Sequence, residues 1–360
     1  MKAGEKTLFS PRMNAQVFSL AFAVVLCFLL CGCKARTAEE TAGSVDVSAE
    51  SAQAGEENPV AGNGNEDAQE AGETAMTEEP VQTVEVTKES QQLATSAIIN
   101  ARELGGYPAA DGMVVKRGLL LRTAKLSTAT EEDLAILKDD YHLGYVVDMR
   151  VPSEIGEDAD PVIEGVEEIP LPIDITTFLQ RINSAAAGSS VEERIAAIRE
   201  AYENGEMGDQ MYVLALQRED FLQQYHTFFQ TLLKGAGEKA ILWHCSFGKD
   251  RTGLGAAMLL SVLGVEEDII MEDYLLTNVF YEGTDAAEAV REKMAPMFPD
   301  EPEIVDAFAE LSGGVKAEYL QNAMDYMKAE SGSVEAFVRE KVGLSEDEAA
   351  LLRSYYLRNP

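Results

Sequence analysis

The sequence predicts an α/β fold over residues 90–360, a central and mostly parallel sheet flanked by helices. Three observations carry this expectation. Short apolar runs of strand length alternate with stretches of helical spacing. One such run, KAILWH from Lys239 to His244, passes through a polar, glycine-containing loop straight into an apolar helical run. The chain has 360 residues, 46% of them apolar, so a single domain of over 200 residues can bury an adequate core. No internal repeat argues for a solenoid.

Taken in order, the first segment is an address. Lys2, Lys6 and Arg12 precede an apolar run from Val17 to Gly32. That run is about 16 residues, short for a membrane span of about 20. A basic n-region before a short apolar h-region reads as a secretory signal. The run closes on Leu30-Cys31-Gly32-Cys33, which resembles the lipobox of bacterial lipoproteins. The resemblance implies a signal peptide over 1–32, cleavage before Cys33, and lipid on Cys33. Diacylation would hold the protein on a bacterial membrane, facing away from the cytoplasm. Residues 33–89 then read as a disordered acidic tether. From Glu39 to Glu89 there are 14 acidic residues against one basic, Lys88, and no aromatic. Such a stretch buries too little apolar surface to fold, and its like charges extend it.

The body follows. Val114 to Arg122 reads as strand material with a Lys-Arg-Gly turn inside it. Ser127 to Asp133 opens a helix, with a capping residue, an acidic first turn, and Leu134 and Leu137 at helical spacing. Gly144 to Asp148 is a short buried strand, and Val166 to Leu171 another. Residues 175–234 are mostly helical, broken near 187–189 and Gly205. Lys239 to His244 is the next strand and Leu254 to Leu263 the apolar helix after it. The rest, to Arg358, reads as helices separated at Pro296–Pro302, Gly313-Gly314, Gly332 and Gly343.

Charge narrows the functional classes. The whole chain carries −34, and residues 90–360 alone carry −25. With no basic stripe, such a surface repels nucleic acid. Four cysteines cannot make a disulfide scaffold at this size, and three of them (Cys27, Cys31, Cys33) crowd the N-terminus.

The remaining cysteine sits in HCSFGKDRTG, His244 to Gly253, with Cys245 and Arg251 spaced as C-x5-R. A loop between a strand and a helix N-terminus turns backbone N–H groups inward, and the helix dipole adds positive potential. That cradle suits a phosphate dianion. Arg251 can grip two phosphate oxygens with its planar fork. The same field lowers the thiol pKa of Cys245 and makes it an in-line nucleophile. Gly248 lets the backbone approach a ligand closely. Lys249 adds a cation at the rim, which favours substrates bearing more than one phosphate. Three carboxyls are candidates for the general acid: Asp250, Asp148 and Asp174. Asp174 is the weakest, since a solvated Asp starting a helix is the common case.

Here the chain resembles the cysteine-based protein-tyrosine phosphatase superfamily, and within it a bacterial branch with an HC-x-x-GKDRTG loop. That branch includes secreted tyrosine and phosphoinositide phosphatases. Asn100 to Tyr107, NARELGGY, is similar to the branch's N-(F)-R-D-L-G-G-Y segment; Ala101 and Glu103 depart from it. Gly118 to Thr123 is similar to the strand that follows, and Asp148-Met149-Arg150 to its D-L-R. The resemblance covers residues 96–357. It implies that Cys245 forms a phosphocysteine and that Arg251 binds phosphate and stabilises the transition state. Asp250 is preferred as the general acid because it resembles the Asp beside the loop arginine of myotubularin-like lipid phosphatases. Thr252 would donate to the Cys245 sulfur as it leaves. Ser246, Phe247, Gly248 and Lys249 would line the substrate, His244 would orient the loop, and Asp148 and Arg102 would support it. Relatives carry a helical lid, here expected within 175–215 with Tyr202 and Tyr212. No metal or other cofactor is implied, since the three histidines (142, 226, 244) offer no ligand spacing.

The expected activity is phosphate monoester hydrolysis. Phosphotyrosine proteins are the first substrate class, and phosphoinositides or inositol polyphosphates the second. A catalytically silent phosphate-binding lipoprotein is the rival from another class.

Overall fold

The computed structural model describes residues 85–156, 158–175, 190–235 and 237–360. The signal segment, Cys33, most of the tether and residues 176–189 of the expected lid lie outside the described residues. Among the described residues no helix is long and apolar enough to cross a membrane.

Among the described residues, seven strands form two sheets. The main sheet holds β1 (Arg102–Glu103), β3 (Leu120–Thr123), β4 (Leu143–Asp148), β5 (Glu167–Pro170) and β6 (Ala240–His244), in the order β1-β3-β6-β4-β5. The β3, β6, β4 and β5 strands run parallel, and β1 is antiparallel to β3. A small second sheet pairs β2 (Val114–Val115) with β7 (Leu357–Arg358).

The helices, in chain order, are α1 (Lys88–Gln91), α2 (Glu131–Ala135), α3 (Pro152–Ile155), α4 (Val191–Glu203), α5 (Met211–Leu216) and α6 (Glu219–Lys234). After β6 come α7 (Asp250–Val262), α8 (Glu267–Tyr281), α9 (Ala286–Met294), α10 (Pro302–Gly313), α11 (Ala317–Ser331), α12 (Val334–Phe337) and α13 (Glu346–Tyr356).

The inner strands β3, β4 and β6 are buried on both faces, and their period of two divides the core. Leu120, Val147, Ile241 and Trp243 face one side, against Phe228, Leu254 and Met258 of α6 and α7. Leu121, Val146, Ala240 and Leu242 face the other, against Leu93, Leu126 and Leu137. Trp243 is the largest fully buried side chain. Removing an aromatic of this kind from a packed core costs about 3–5 kcal/mol.

Register sets the site. Thr123 pairs with His244, and His244 with Asp148, so the parallel strands finish level. Loops leaving that edge converge, as ligand sites do at the carboxyl ends of open α/β sheets.

Three boundaries differ from expectation. Helix α7 begins at Asp250, four residues before the apolar run, because its first turn is polar and faces the site. The chain end is not all helix: Leu357–Arg358 pairs with Val114–Val115. Residues 85–91 are ordered onto the domain, with Thr87 capping α1 and Gln91 donating to the Glu103 and Gly105 carbonyls. A short polar turn has no periodicity to announce it.

A second apolar core forms away from the main sheet. Ile198 and Ala201 of α4 pack with Met207 and with Val290, Met294, Ile304 and Phe308 of α9 and α10.

Candidate active site

Cys245 leaves the end of β6 and is 1% exposed. The loop around it is shaped by where its carbonyls are tied. Asn100 Nδ2 donates to the Gly248 carbonyl at 2.8 Å and the Phe247 carbonyl at 3.3 Å. Arg122 Nη2 donates to Gly248 O at 3.0 Å, and the Tyr281 hydroxyl to Phe247 O at 2.8 Å. With these carbonyls held outward, the intervening N–H groups turn inward, and that of Phe247 reaches the Cys245 sulfur. The first turn of α7 adds N–H groups with no partner within the helix. The result is an anion cradle around the thiol.

Gly248 has φ +65°, and a Cβ there would lie 2.2 Å from the Thr123 carbonyl oxygen. No other residue fits that turn. Asn100 itself sits at φ 57°, a left-handed conformation that Asn tolerates, and is 1% exposed.

Arg251 is held in place before any ligand arrives. Its Nη1 and Nη2 donate to Glu154 at 2.5 and 2.6 Å, and Nη1 also to the Met149 and Ile173 carbonyls, each at 3.2 Å. Its Nε is buried with no acceptor, a donor that a phosphoryl oxygen would satisfy. Tyr225 caps the Arg251 carbonyl at 2.8 Å, and Trp243 Nε1 the Thr252 carbonyl at 3.1 Å. Ser246 donates its hydroxyl to Glu154 at 2.7 Å, so Glu154 ties the loop to the arginine. The Glu154 carboxyl is pushed up by burial, but the Arg251 guanidinium outweighs burial and holds it below the usual range.

Burial alone would raise the Cys245 thiol. The Arg251 charge, the Thr252 hydroxyl and the Phe247 N–H together lower it below its usual value. The Thr252 hydroxyl is buried with no oxygen or nitrogen partner, which leaves it free for the sulfur.

The other expected residues divide. Asp250 lies at the start of α7, and its Oδ1 accepts the Tyr212 hydroxyl of α5 at 2.8 Å. Tyr212 in turn meets the Tyr274 hydroxyl at 2.9 Å. Asp148 is 3% exposed and grips Arg150 at 2.8–3.1 Å. His244 Nε2 lies 3.1 Å from Asp160 Oδ2. Burial pushes the imidazole down, and the Asp160 and Asp148 carboxylates outweigh it and raise it above the usual value. Asp174 follows Ile173, whose carbonyl meets Arg251, and its own carbonyl accepts Arg218 at 2.9 Å.

Arg102 does not line the cradle. It is fully buried behind it, joined through Nε to Asp273 at 3.0 Å and through Nη1 to Asn100 Oδ1. Lys249 differs most from its expected place. It is 0% exposed rather than at a solvated rim, and its ammonium meets the Gly314 carbonyl at 3.1 Å and Asp250 Oδ2 at 3.1 Å.

One ligand-capable cluster exists among the described residues: Asp148, Asp160 and His244. Its two carboxylates already pair with Arg150, at 2.8 and 2.6 Å, so a dication would have to compete with that guanidinium.

Linear reading missed Glu154, Arg122, Asp273, Tyr281 and the partnership of Tyr212 with Asp250. Glu154 lies 97 residues from Arg251, and Asp273 lies 151 from Arg122. No local pattern links residues so far apart.

A family model described as "Tyrosine phosphatase family" matches residues 93–358. A protein of Cupriavidus necator named as a tyrosine-protein phosphatase is 32% identical over 270 residues, covering 74% of this chain and 88% of that protein. The triple specificity protein phosphatase PtpB of Mycobacterium tuberculosis is 32% identical over 132 residues, 34% of this chain and 45% of its own length. Among solved structures, P. aeruginosa TpbA is 18% identical, covering 59% of this chain and 91% of its own, with a TM-score of 0.23. A likeness that low carries no argument.

Proposed function

The chain belongs to the tyrosine phosphatase family, and on that premise we propose that it hydrolyses phosphotyrosine in proteins through a phosphocysteine on Cys245. The observation that carries the proposal is the lowered thiol beside a fully positioned Arg251 at the mouth of a backbone anion cradle.

The thiolate attacks phosphorus in line, and the bond from phosphorus to the tyrosyl oxygen breaks. Arg251 and the loop N–H groups stabilise charge on the equatorial oxygens. Asp250 gives its proton to the leaving oxygen, and its carboxylate then takes one from the attacking water. That water cleaves the sulfur–phosphorus bond, orthophosphate leaves, and Thr252 donates to the returning thiolate.

Phosphoinositides remain the second substrate class. The buried Lys249 favours ranking them second, since its charge is spent on Gly314 and Asp250 rather than offered to another phosphate. We further propose that the domain is lipid-anchored through Cys33 outside the cytoplasm.

The test is turnover of aryl phosphates of graded leaving-group pKa, with no added metal. Asp250→Asn should lose little on activated esters and on the order of 10²-fold or more on poor ones. No turnover of any ester by the wild-type protein would favour the silent phosphate-binding alternative. Leaving-group dependence in Asp148→Asn but not Asp250→Asn would reverse the acid assignment.

A further inference from the structure

Two adjoining clefts lie on the Asp250 side of the site, outside the cradle. The larger, about 460 Å³, is lined by Tyr202, Met207, Asp209, Glu303, Glu318 and Tyr319, among others. The smaller, about 250 Å³, shares Glu310, Lys316 and Tyr319 with it and includes Gly314. The larger volume falls in the range of ligand pockets.

Their position relative to the chemistry follows from contacts already described. Gly314 takes the Lys249 ammonium. Tyr319 packs edge-on against Tyr212 at 6.2 Å between ring centres, and Tyr212 holds Asp250. The clefts are therefore one side chain away from the general acid.

Two independent features point to the same kind of occupant. The first is charge: five carboxylates (Asp209, Glu303, Asp306, Glu310, Glu318) line the larger cleft against one ammonium, Lys316. Lys316 is already paired with Glu310 at 2.6 Å. Asp306 is paired with Arg291 at 3.0 Å. Glu303 and Glu318 are exposed and make no ion pair with any described residue.

The second is Tyr319. It is 4% exposed, lines both clefts, and its hydroxyl makes no hydrogen bond to any described residue. Burial, with Glu310, Asp250, Asp209 and Glu318 nearby, pushes its pKa up to about 12, so the hydroxyl stays protonated. Its hydroxyl oxygen is thus free to accept a hydrogen bond from a guanidinium or ammonium, and the exposed Tyr202 ring adds an aromatic surface on which such a cation settles.

We propose that this cleft is a specificity subsite that takes a lysine or arginine side chain flanking the phosphotyrosine of a polypeptide substrate. The inference rests on the phosphatase reading and deepens it. A headgroup with further phosphates would bring negative charge against these carboxylates. The acidic tether of the same chain, with 14 acidic residues to one basic between Glu39 and Glu89, is excluded as an occupant by charge.

The experiment compares phosphotyrosine peptides carrying Arg or Glu at each of the positions flanking phosphotyrosine. Rates are referred to each protein's own turnover of an aryl phosphate too small to reach the cleft. At low salt, one or more Arg peptides should be preferred over their Glu counterparts by roughly tenfold, and salt should shrink the difference. The Glu303→Gln/Glu318→Gln protein, and separately Tyr319→Phe, should lose most of that preference. Equal rates for Arg and Glu peptides at every position would overturn the proposal. So would a preference that survives the double substitution.

A binding arm needs no turnover: Cys245→Ser protein should bind the labelled Arg peptide several-fold more tightly than the Glu peptide. Tighter binding of a soluble phosphoinositide than of the Arg peptide would also overturn it. Failure of the aryl phosphate itself would strike the phosphatase reading, and the binding arm would still judge the cleft.

Discussion

Cys245 shows how opposing effects are decided at one atom. Burial raises its thiol pKa, and the Arg251 charge with the Thr252 and Phe247 donors brings it below the usual value. The thiol is therefore more readily ionised than an ordinary cysteine. Alkylation by iodoacetate should follow a titration with its midpoint below 9, the ordinary value for the group. In Thr252→Ala the midpoint should move up, because one donor to the sulfur is gone. An unchanged midpoint would remove Thr252 from the account. Cys245→Ser should lose turnover and keep phosphate affinity, since the cradle is made of backbone; isothermal titration with inorganic phosphate checks this. Both residues were legible in the sequence, because the loop is contiguous and its spacing is its chemistry. Glu154 was not, because its partners Arg251 and Ser246 are distant in the chain.

At the scale of elements, the loop from β6 to α7 depends on one glycine and one helix. Gly248→Ala would place a methyl 2.2 Å from the Thr123 carbonyl and force a left-handed φ on a residue that resists it. The loop must shift, so the variant should lose at least tenfold in kcat/KM, by aryl phosphate assay, and fall in thermal stability. Normal kinetics would mean that the loop rebuilds freely. Helix α5 acts on the site through Tyr212, which lies inside the stretch expected as a lid. Tyr212→Phe keeps the ring packing and removes only the hydroxyl that Asp250 accepts. Its loss should grow with leaving-group pKa in parallel with Asp250→Asn but be smaller. A uniform loss across esters would instead mark Tyr212 as structural. Periodicity found the body of α7 and missed its first turn, since polar residues facing a site carry no apolar signal.

The whole molecule rests on a buried charge network behind the cradle. Asp273 accepts Arg102 at 3.0 Å, Arg122 at 2.6 Å and Tyr107 at 3.0 Å, with all of these side chains buried. Burial raises its carboxyl, and the two guanidiniums outweigh burial and hold it below the usual value. Burial and the neighbouring Arg102 charge bring Arg122 down to about 10. A depressed folded-state pKa contributes stability that is complete above the unfolded value, near 4, and is lost as pH falls through the folded value. Asp273→Asn should therefore cost about 3–5 kcal/mol at neutral pH by denaturant unfolding, because it leaves buried guanidiniums uncompensated. Its stability should also fall less steeply than wild type below pH 4. Equal acid slopes would show that other carboxyls control acid unfolding. At the N-terminus, Cys33→Ala should move the protein out of the detergent-phase membrane fraction. Wild-type protein found without lipid would leave a conventional secreted enzyme.

What the sequence by itself determined is whatever is local or periodic. The alternation of strands and helices announced the sheet, and ten contiguous residues, His244 to Gly253, carried the proposed nucleophile, the proposed phosphate-binding arginine and the cradle glycine. Only the tertiary structure decided which carboxylates serve which cations. Glu154 holds Arg251, Asp273 joins Arg102 to Arg122, and Lys249 turns inward to Gly314 instead of outward to solvent. The physical reason is reach. Backbone propensity and apolar spacing act over a few residues. Burying a charge, by contrast, demands a partner wherever folding brings one, and here those partners lie up to 171 residues away.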